Sequence, residues 1–209
     1  MPPRHRHQPR TPPHLPYARR RRPNTVEPAW GTTDDVGHGT EMAGLAIAGN
    51  LTRVLDGSVD IEVEHRLESA KLLRNDGANG TGSRHHGHLT AEAVSRPEID
   101  HPERPRVFSM AVTARDNRDR GQPTGWSATL DALAADSDNQ AQNPRLLVVS
   151  AGNVKDNADW VQYPDSNDSD GIHDPAQAWN PLTVDAFTSL TQITEPDTED
   201  YEPIAPTAG

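Results

Sequence analysis

The 209 residues include no cysteine. That excludes a disulfide scaffold, a thiolate zinc site and a cysteine nucleophile. Aromatic residues make up 4% of the chain and hydrophobic residues 33%, both below ordinary globular usage. Mean hydropathy is −0.81. No apolar run approaches the roughly 18 residues that a membrane-spanning helix needs. Behind Met1 the chain is rich in Arg and Pro, with no apolar stretch to act as a secretory leader. The expectation is one domain of ordinary size without covalent cross-links. The missing cysteines and leader favour the cytoplasm over an oxidising compartment.

Charge is unevenly spread. The net charge is −11, yet residues 1–30 hold seven arginines against one acid, together with eight of the 19 prolines. Residues 31–209 hold 13 basic and 30 acidic side chains. Proline removes backbone donors, and the first 28 residues have little to bury, so 1–28 is expected to be a disordered tail. Its origin stays open between a solvated arm and an out-of-frame or altered start. It lacks the interleaved aromatics that stack on bases, and the acidic body repels phosphate, so no nucleic-acid partner is expected. Residues 191–209 carry five acids and three prolines and are expected to be a loose acidic tail. Residues 29–190 are the expected folded body.

Within that body, His38–Asn50 (HGTEMAGLAIAGN) predicts a helix, with Met42, Leu45, Ala46 and Gly49 at i, i+3, i+4 and i+7 and a Gly49-Asn50 stop. Asp34 and Asp35 precede it and suit its positive end. Ile61 and Val63 alternate with acids as in a half-exposed strand, and Ala70, Leu72 and Leu73 end a second short one. Arg74–His88 is rich in Gly, Asn and His and predicts a loop, with a helical start at Thr90–Val94. Arg106–Thr113 predicts a buried strand. Asp116–Thr124 predicts a loop. Trp126–Ala135 predicts a helix capped by Thr124, with Trp126, Leu130, Leu133 and Ala134 on one face. Arg145–Ser150 is the clearest strand, and its continuous apolar run predicts burial on both sides of a sheet. Pro181–Phe187 predicts another. Strand, helix, strand at this spacing is a βαβ unit. The expected fold class is therefore α/β, a parallel sheet flanked by helices.

Two short sequences carry chemistry. One is Gly37-His38-Gly39-Thr40-Glu41-Met42-Ala43-Gly44. The other is Ser150-Ala151-Gly152-Asn153, directly after the apolar strand. Alone, a His at a helix start reads as a capping or surface residue, and Gly-Asn after a strand reads as a turn. Together, in this order and 115 residues apart, they resemble the subtilisin-like serine peptidases (subtilases, peptidase S8). The H-G-T-x-x-A-G pattern of that family carries the triad histidine at the start of a helix, matching His38. Its A-G-N pattern at the end of a buried strand carries the oxyanion-hole asparagine, matching Asn153. Asp35 matches an aspartate frequent three residues before the histidine. Tyr163-Pro164 and Leu182-Thr183-Val184 are similar to the segment that returns to the sheet. The resemblance spans Glu27–Phe187, about three quarters of the chain.

The resemblance implies peptide-bond hydrolysis on peptide or protein substrates, with no obligatory cofactor. His38 would take the serine proton and return it to the leaving amine. Asn153 would donate to the oxyanion. The strand Phe108–Val112 would line the substrate cleft, with Gly125-Trp126 nearby. The chain departs from the family at two triad positions. No D-[ST]-G precedes His38, where only Asp34 and Asp35 stand. No G-T-S-x-A follows Asn153. Gly80-Thr81-Gly82-Ser83 and Asp56-Gly57-Ser58 share letters with these motifs but fall in the wrong places, and Ser150 reads as structural. The expectation is an incomplete subtilisin-like fold, apparently truncated at both ends and inactive alone. The alternative is a non-catalytic pseudo-peptidase or a peptide- or partner-binding remnant.

Two further clusters invite a metal reading. His85, His86 and His88, with His65 and His101, are candidate transition-metal ligands, set against a mobile polar loop. Asp165, Asp168, Asp170 and Asp174 are hard oxygen ligands around a half-matched calcium loop, but Gln177 stands where the closing glutamate belongs. A solvated acidic turn is the competing reading.

Overall fold

A computed structural model of the chain describes residues 24–58, 61–74, 85–114, 122–153 and 171–186. The elements, in chain order, are β1 (Asn24–Thr25), α1 (His38–Ala48), α2 (Leu51–Leu55), β2 (Ala70–Lys71), α3 (His86–Asp100), β3 (Val107–Met110), α4 (Gly125–Ala135), β4 (Leu146–Ser150) and β5 (Leu182–Val184). The chain divides into two compact units. One holds Thr32–Ala70, and the other holds Thr25–Gly31 and the residues from Lys71 onward.

The second unit carries the sheet. β3, β4 and β5 pair in that order, all parallel. Val107 lies opposite Leu146 and Met110 opposite Val149, while Val148 lies opposite Leu182 and Ser150 opposite Val184. β3, α4 and β4 form the expected βαβ unit, so the parallel sheet flanked by helices stands as predicted. Thr124 caps α4 as predicted, its Oγ1 accepting from the N–H groups of Trp126 and Ser127 at 3.1 and 3.3 Å.

The core gathers Leu89 from α3, Trp126, Leu130 and Ala134 from α4, and Leu147 and Val149 from β4, with Val26 and Leu72 beside them. Phe108 and Met110 pack against it. Each fully buried leucine contributes about 1.5–3 kcal/mol of transfer free energy. The Trp126 indole N–H donates to Thr90 Oγ1 at 2.9 Å, so this ring is buried without stranding its donor. Arg145 closes the far end of the unit. Its guanidinium donates to Glu98 through Nε and Nη2 at 2.8 and 3.0 Å, and through Nη1 to Asp136 Oδ1 at 3.0 Å. Arg96 ties α3 to the start of the unit by donating to the carbonyls of Thr25 and Val26 and to Glu92.

Several expectations are corrected. β4 is buried on one face only, because Leu147 and Val149 are covered while Leu146 is half exposed. The loop expected through His88 gives way at His86 to α3, which runs 15 residues. Its first turn is held by a tertiary contact, the His86 ring stacked on Trp126 with centroids 4.7 Å apart. Ile61 and Val63 do alternate in burial with exposed Glu62 and Glu64, but they form no strand. In α1, Leu45 and Ala46 are exposed, while Met42, Ala43, Gly44, Ile47 and Ala48 are half-buried, so the covered face is turned from the predicted one. Asn24–Pro28, assigned by composition to the tail, include a strand and the fully buried Val26. The rest of that tail, the 191–209 tail, Phe187, Gly80–Ser83 and Tyr163-Pro164 lie outside the described residues. Among the described residues no helix is long and apolar enough to cross a membrane.

Candidate active site

His38 is the first residue of α1, and the backbone before it dictates where that helix begins. Gly37 is the N-cap, at φ +93° in the left-handed region, which a side chain at Cβ would resist. Having no side chain, it leaves capping to Asp34. The Asp34 carboxylate accepts the Gly37 N–H through Oδ1 at 2.9 Å, and the Thr40 N–H and hydroxyl through Oδ2, both at 2.7 Å. Those hydrogen bonds, the Thr40 hydroxyl first, hold the Asp34 carboxyl down to about 2 from its ordinary 3.8. The G-H-G-T sequence is thus a left-handed residue, an exposed imidazole, and a threonine that hands both donors to a carboxylate. At the other end, His65 Nε2 donates to the Ala46 carbonyl at 2.8 Å, satisfying a last-turn acceptor of α1. That assigns His65 a capping role instead of a ligand role.

Asp34 is the aspartate engaged with the helix start, four residues before the histidine. The charge pattern placed both Asp34 and Asp35 at this positive end, and Asp34 is the one that accepts from Gly37 and Thr40.

Asn153 lies in the second unit, two residues past Ala151, where β4 leaves the sheet at its carboxyl end. Parallel α/β sheets place ligands at this end of their strands. Ala151 N–H donates to Val184 O at 3.0 Å, extending the ladder one residue beyond β4. The Gly152 N–H then donates to Ser150 Oγ at 3.3 Å, which fits the structural reading of Ser150. Gly152 is at φ +130°, and a Cβ there would stand 2.6 Å from the His173 ring. Only glycine fits both the backbone and that close approach. Asn153 follows, exposed to solvent.

The segment 172–176 braces this turn. His173 N–H donates to Ala151 O at 2.9 Å, and Ala114 N–H donates to Asp174 O at 2.7 Å. The Asp174 Oδ1 accepts the hydroxyls of Thr124 and Ser127 at 2.6 and 2.9 Å. Ser127 is fully buried, out of reach of a substrate, so its hydroxyl is structural. Nothing in the pattern of the sequence marked His173 or Asp174 for this role; only a strand-to-loop pairing reveals it.

His85, His86 and His88 sit at the first turn of α3, His86 against Trp126. Burial lowers the His86 imidazole below its ordinary 6.5, with Asp174 opposing and His85 assisting. His101 caps the other end of α3. Among the described residues no three His, Asp or Glu side chains gather to hold a metal ion. Asp165, Asp168 and Asp170 lie outside the described residues, and Asp174 is engaged as above.

The second unit is therefore an α/β fold with a glycine-asparagine turn at the carboxyl end of its central parallel strand, and the first presents a histidine at a helix start. A model of the subtilase family matches residues 6–206, a wider span than the Glu27–Phe187 carried by the motifs. The chain belongs to the subtilase family, a family of serine peptidases acting on peptides and proteins. Comparison with curated proteins and with solved structures returns no match.

Proposed function

We propose that this chain is a subtilisin-type serine endopeptidase domain in which His38 is the triad base and Asn153 the oxyanion donor. The observation that carries the reading is the pairing of motif with local geometry: H-G-T opens a helix behind a left-handed glycine, and A-G-N leaves a central parallel strand at its carboxyl end. An imidazole titrates near neutral pH and can pass the serine proton to the leaving amine. An exposed carboxamide held by a braced turn can donate to a tetrahedral oxyanion without reorganising. Loss of one such donor costs about 10²–10³-fold in turnover, a magnitude taken from subtilisin itself and not from this chain.

The sequence has neither D-[ST]-G before His38 nor G-T-S-x-A after Asn153. Without its nucleophile a triad retains only residual catalysis from binding and the oxyanion hole. The polypeptide is accordingly inactive on its own. The second reading is a non-catalytic peptide- or partner-binding protein.

The test is hydrolysis of a fluorogenic peptide library by the purified chain, beside His38→Ala. Turnover at the blank rate in both is expected. Robust turnover abolished by His38→Ala would overturn the inactivity and establish the triad base. Peptide binding by both proteins without turnover favours the second reading.

A further inference from the structure

We propose that Asp174 is a positioning residue that holds the Ser150–Asn153 turn in place by anchoring His173 against Gly152. This rests on the reading of Asn153 as the oxyanion donor. The turn has little of its own to stand on: past Ala151 the ladder with β5 has ended, and Gly152 is at a backbone angle that glycine adopts without penalty but does not enforce. What limits Gly152 is the His173 ring, packed so closely that a Cβ at 152 would approach it to 2.6 Å. His173 is in turn fastened to the turn by its N–H, which donates to Ala151 O at 2.9 Å.

Asp174 is the next residue, and it is held from two sides. Its carbonyl accepts from Ala114 at 2.7 Å, beyond the end of β3. Its Oδ1 takes the Thr124 and Ser127 hydroxyls at 2.6 and 2.9 Å, and Ser127 also approaches Gln177 Oε1 at 3.4 Å. Thr124 and Ser127 are fixed by α4, of which Thr124 is the N-cap and Ser127 is fully buried. Gln177 adds a brace by donating to Ile172 O at 2.7 Å. The rigid start of α4 is thereby connected through one carboxylate to His173, and through His173 to the residue before Asn153. A carboxylate suits this job because one oxygen accepts two hydroxyl donors at once, with stronger bonds than a neutral acceptor makes.

The test is amide hydrogen exchange on the full chain, comparing wild type, Asp174→Ala, Asp174→Asn and Ser127→Ala. The carboxamide introduced by Asp174→Asn keeps an oxygen that can accept both hydroxyls. In Asp174→Ala the His173 amide should exchange roughly tenfold faster, the scale expected for losing hydrogen bonds to a carboxylate, while Leu147 and Val149 in β4 keep their protection. Asp174→Asn should restore most of the protection, and Ser127→Ala should fall between. Unchanged His173 exchange in Asp174→Ala, or an equal rise at every amide, would overturn the proposal. The Asn153 reading is tested separately, by titrating a tetrapeptide with a free C-terminal carboxylate and following the Asn153 side-chain resonances. A shift in wild type that is weakened by Asp174→Ala supports both inferences. No shift in wild type, with His173 exchange still dependent on Asp174, leaves the anchor standing and removes the oxyanion role.

Discussion

Asp34 shows how much a single side chain organises at the start of α1. One carboxylate accepts from two backbone N–H groups and one hydroxyl, which include donors the helix cannot satisfy internally. Because its folded pKa is depressed from 3.8 to about 2, the contribution is fully present above 3.8 and disappears as pH falls toward 2. Carboxyl NMR should therefore find the Asp34 midpoint near 2, and Thr40→Val should move it upward, since the Thr40 hydroxyl is the largest cause of the shift. An Asp34 midpoint unmoved by Thr40→Val would contradict this capping arrangement. That a helix opens at His38 was legible in its sequence. An acid at the helix start was legible in the Asp34-Asp35 pair, but the hydrogen bonds of Asp34 to Gly37 and Thr40 were not, because they depend on how the chain turns between 34 and 40.

At the scale of elements, α3 and α4 meet through Trp126. Its ring stacks on His86, and its N–H reaches Thr90, both on the first two turns of α3. Trp126→Phe keeps an aromatic ring there but removes the hydrogen bond to a buried hydroxyl. It should lower stability by about 1–3 kcal/mol, the sum expected of a lost bond and a small cavity, read as a urea midpoint shift. The same contact makes α3 sensitive to acid. His86 is lowered below 6.5 chiefly by burial, so the folded state binds its proton less readily than the unfolded chain. Its contribution is intact above 6.5 and is lost as pH falls through 6.5 to the folded value. The urea midpoint should decline as pH falls below 6.5, and His86→Phe should flatten that decline while retaining the stack. A decline that survives His86→Phe undiminished would place the sensitivity elsewhere. This helix start escaped sequence reading because Gly87 and three histidines look like a loop until a tryptophan from α4 covers them.

For the molecule as a whole, the sheet has a covered and an uncovered face. Phe108, Met110, Leu147 and Val149 face the core. On the opposite face Val107 is 66% exposed, Leu146 50%, Leu182 54% and Val184 48%, and the register sets Val107 beside Leu146 and Val148 beside Leu182. That places contiguous apolar surface in water. The isolated chain should bind an apolar fluorescent dye in its native state and precipitate at low ammonium sulfate, since excluded salts strengthen apolar burial. Leu146→Lys with Val184→Lys should reduce both by several-fold with little change in the urea midpoint. Equal dye binding by wild type and the double variant would show that this face is not the responsible surface.

What the amino-acid sequence determined alone was local. The apolar run Leu146–Val149, the Trp126, Leu130, Leu133, Ala134 stripe and the glycines around His38 and before Asn153 carry their own geometry, so β4, α4, the opening of α1 and the family are legible in them. Tertiary structure decided everything that depends on a partner distant in sequence. Ile61 and Val63 have the alternation of a strand but pair with no strand among the described residues, and the unbroken run of β4 cannot say that only one side is covered. Asp174 becomes an anchor only because α4 brings Thr124 and Ser127 within hydrogen-bond reach, 50 and 47 residues away along the chain. The physical reason is that periodicity and turn chemistry are written in neighbouring residues, whereas burial and hydrogen-bond partners are supplied by whichever element arrives from elsewhere.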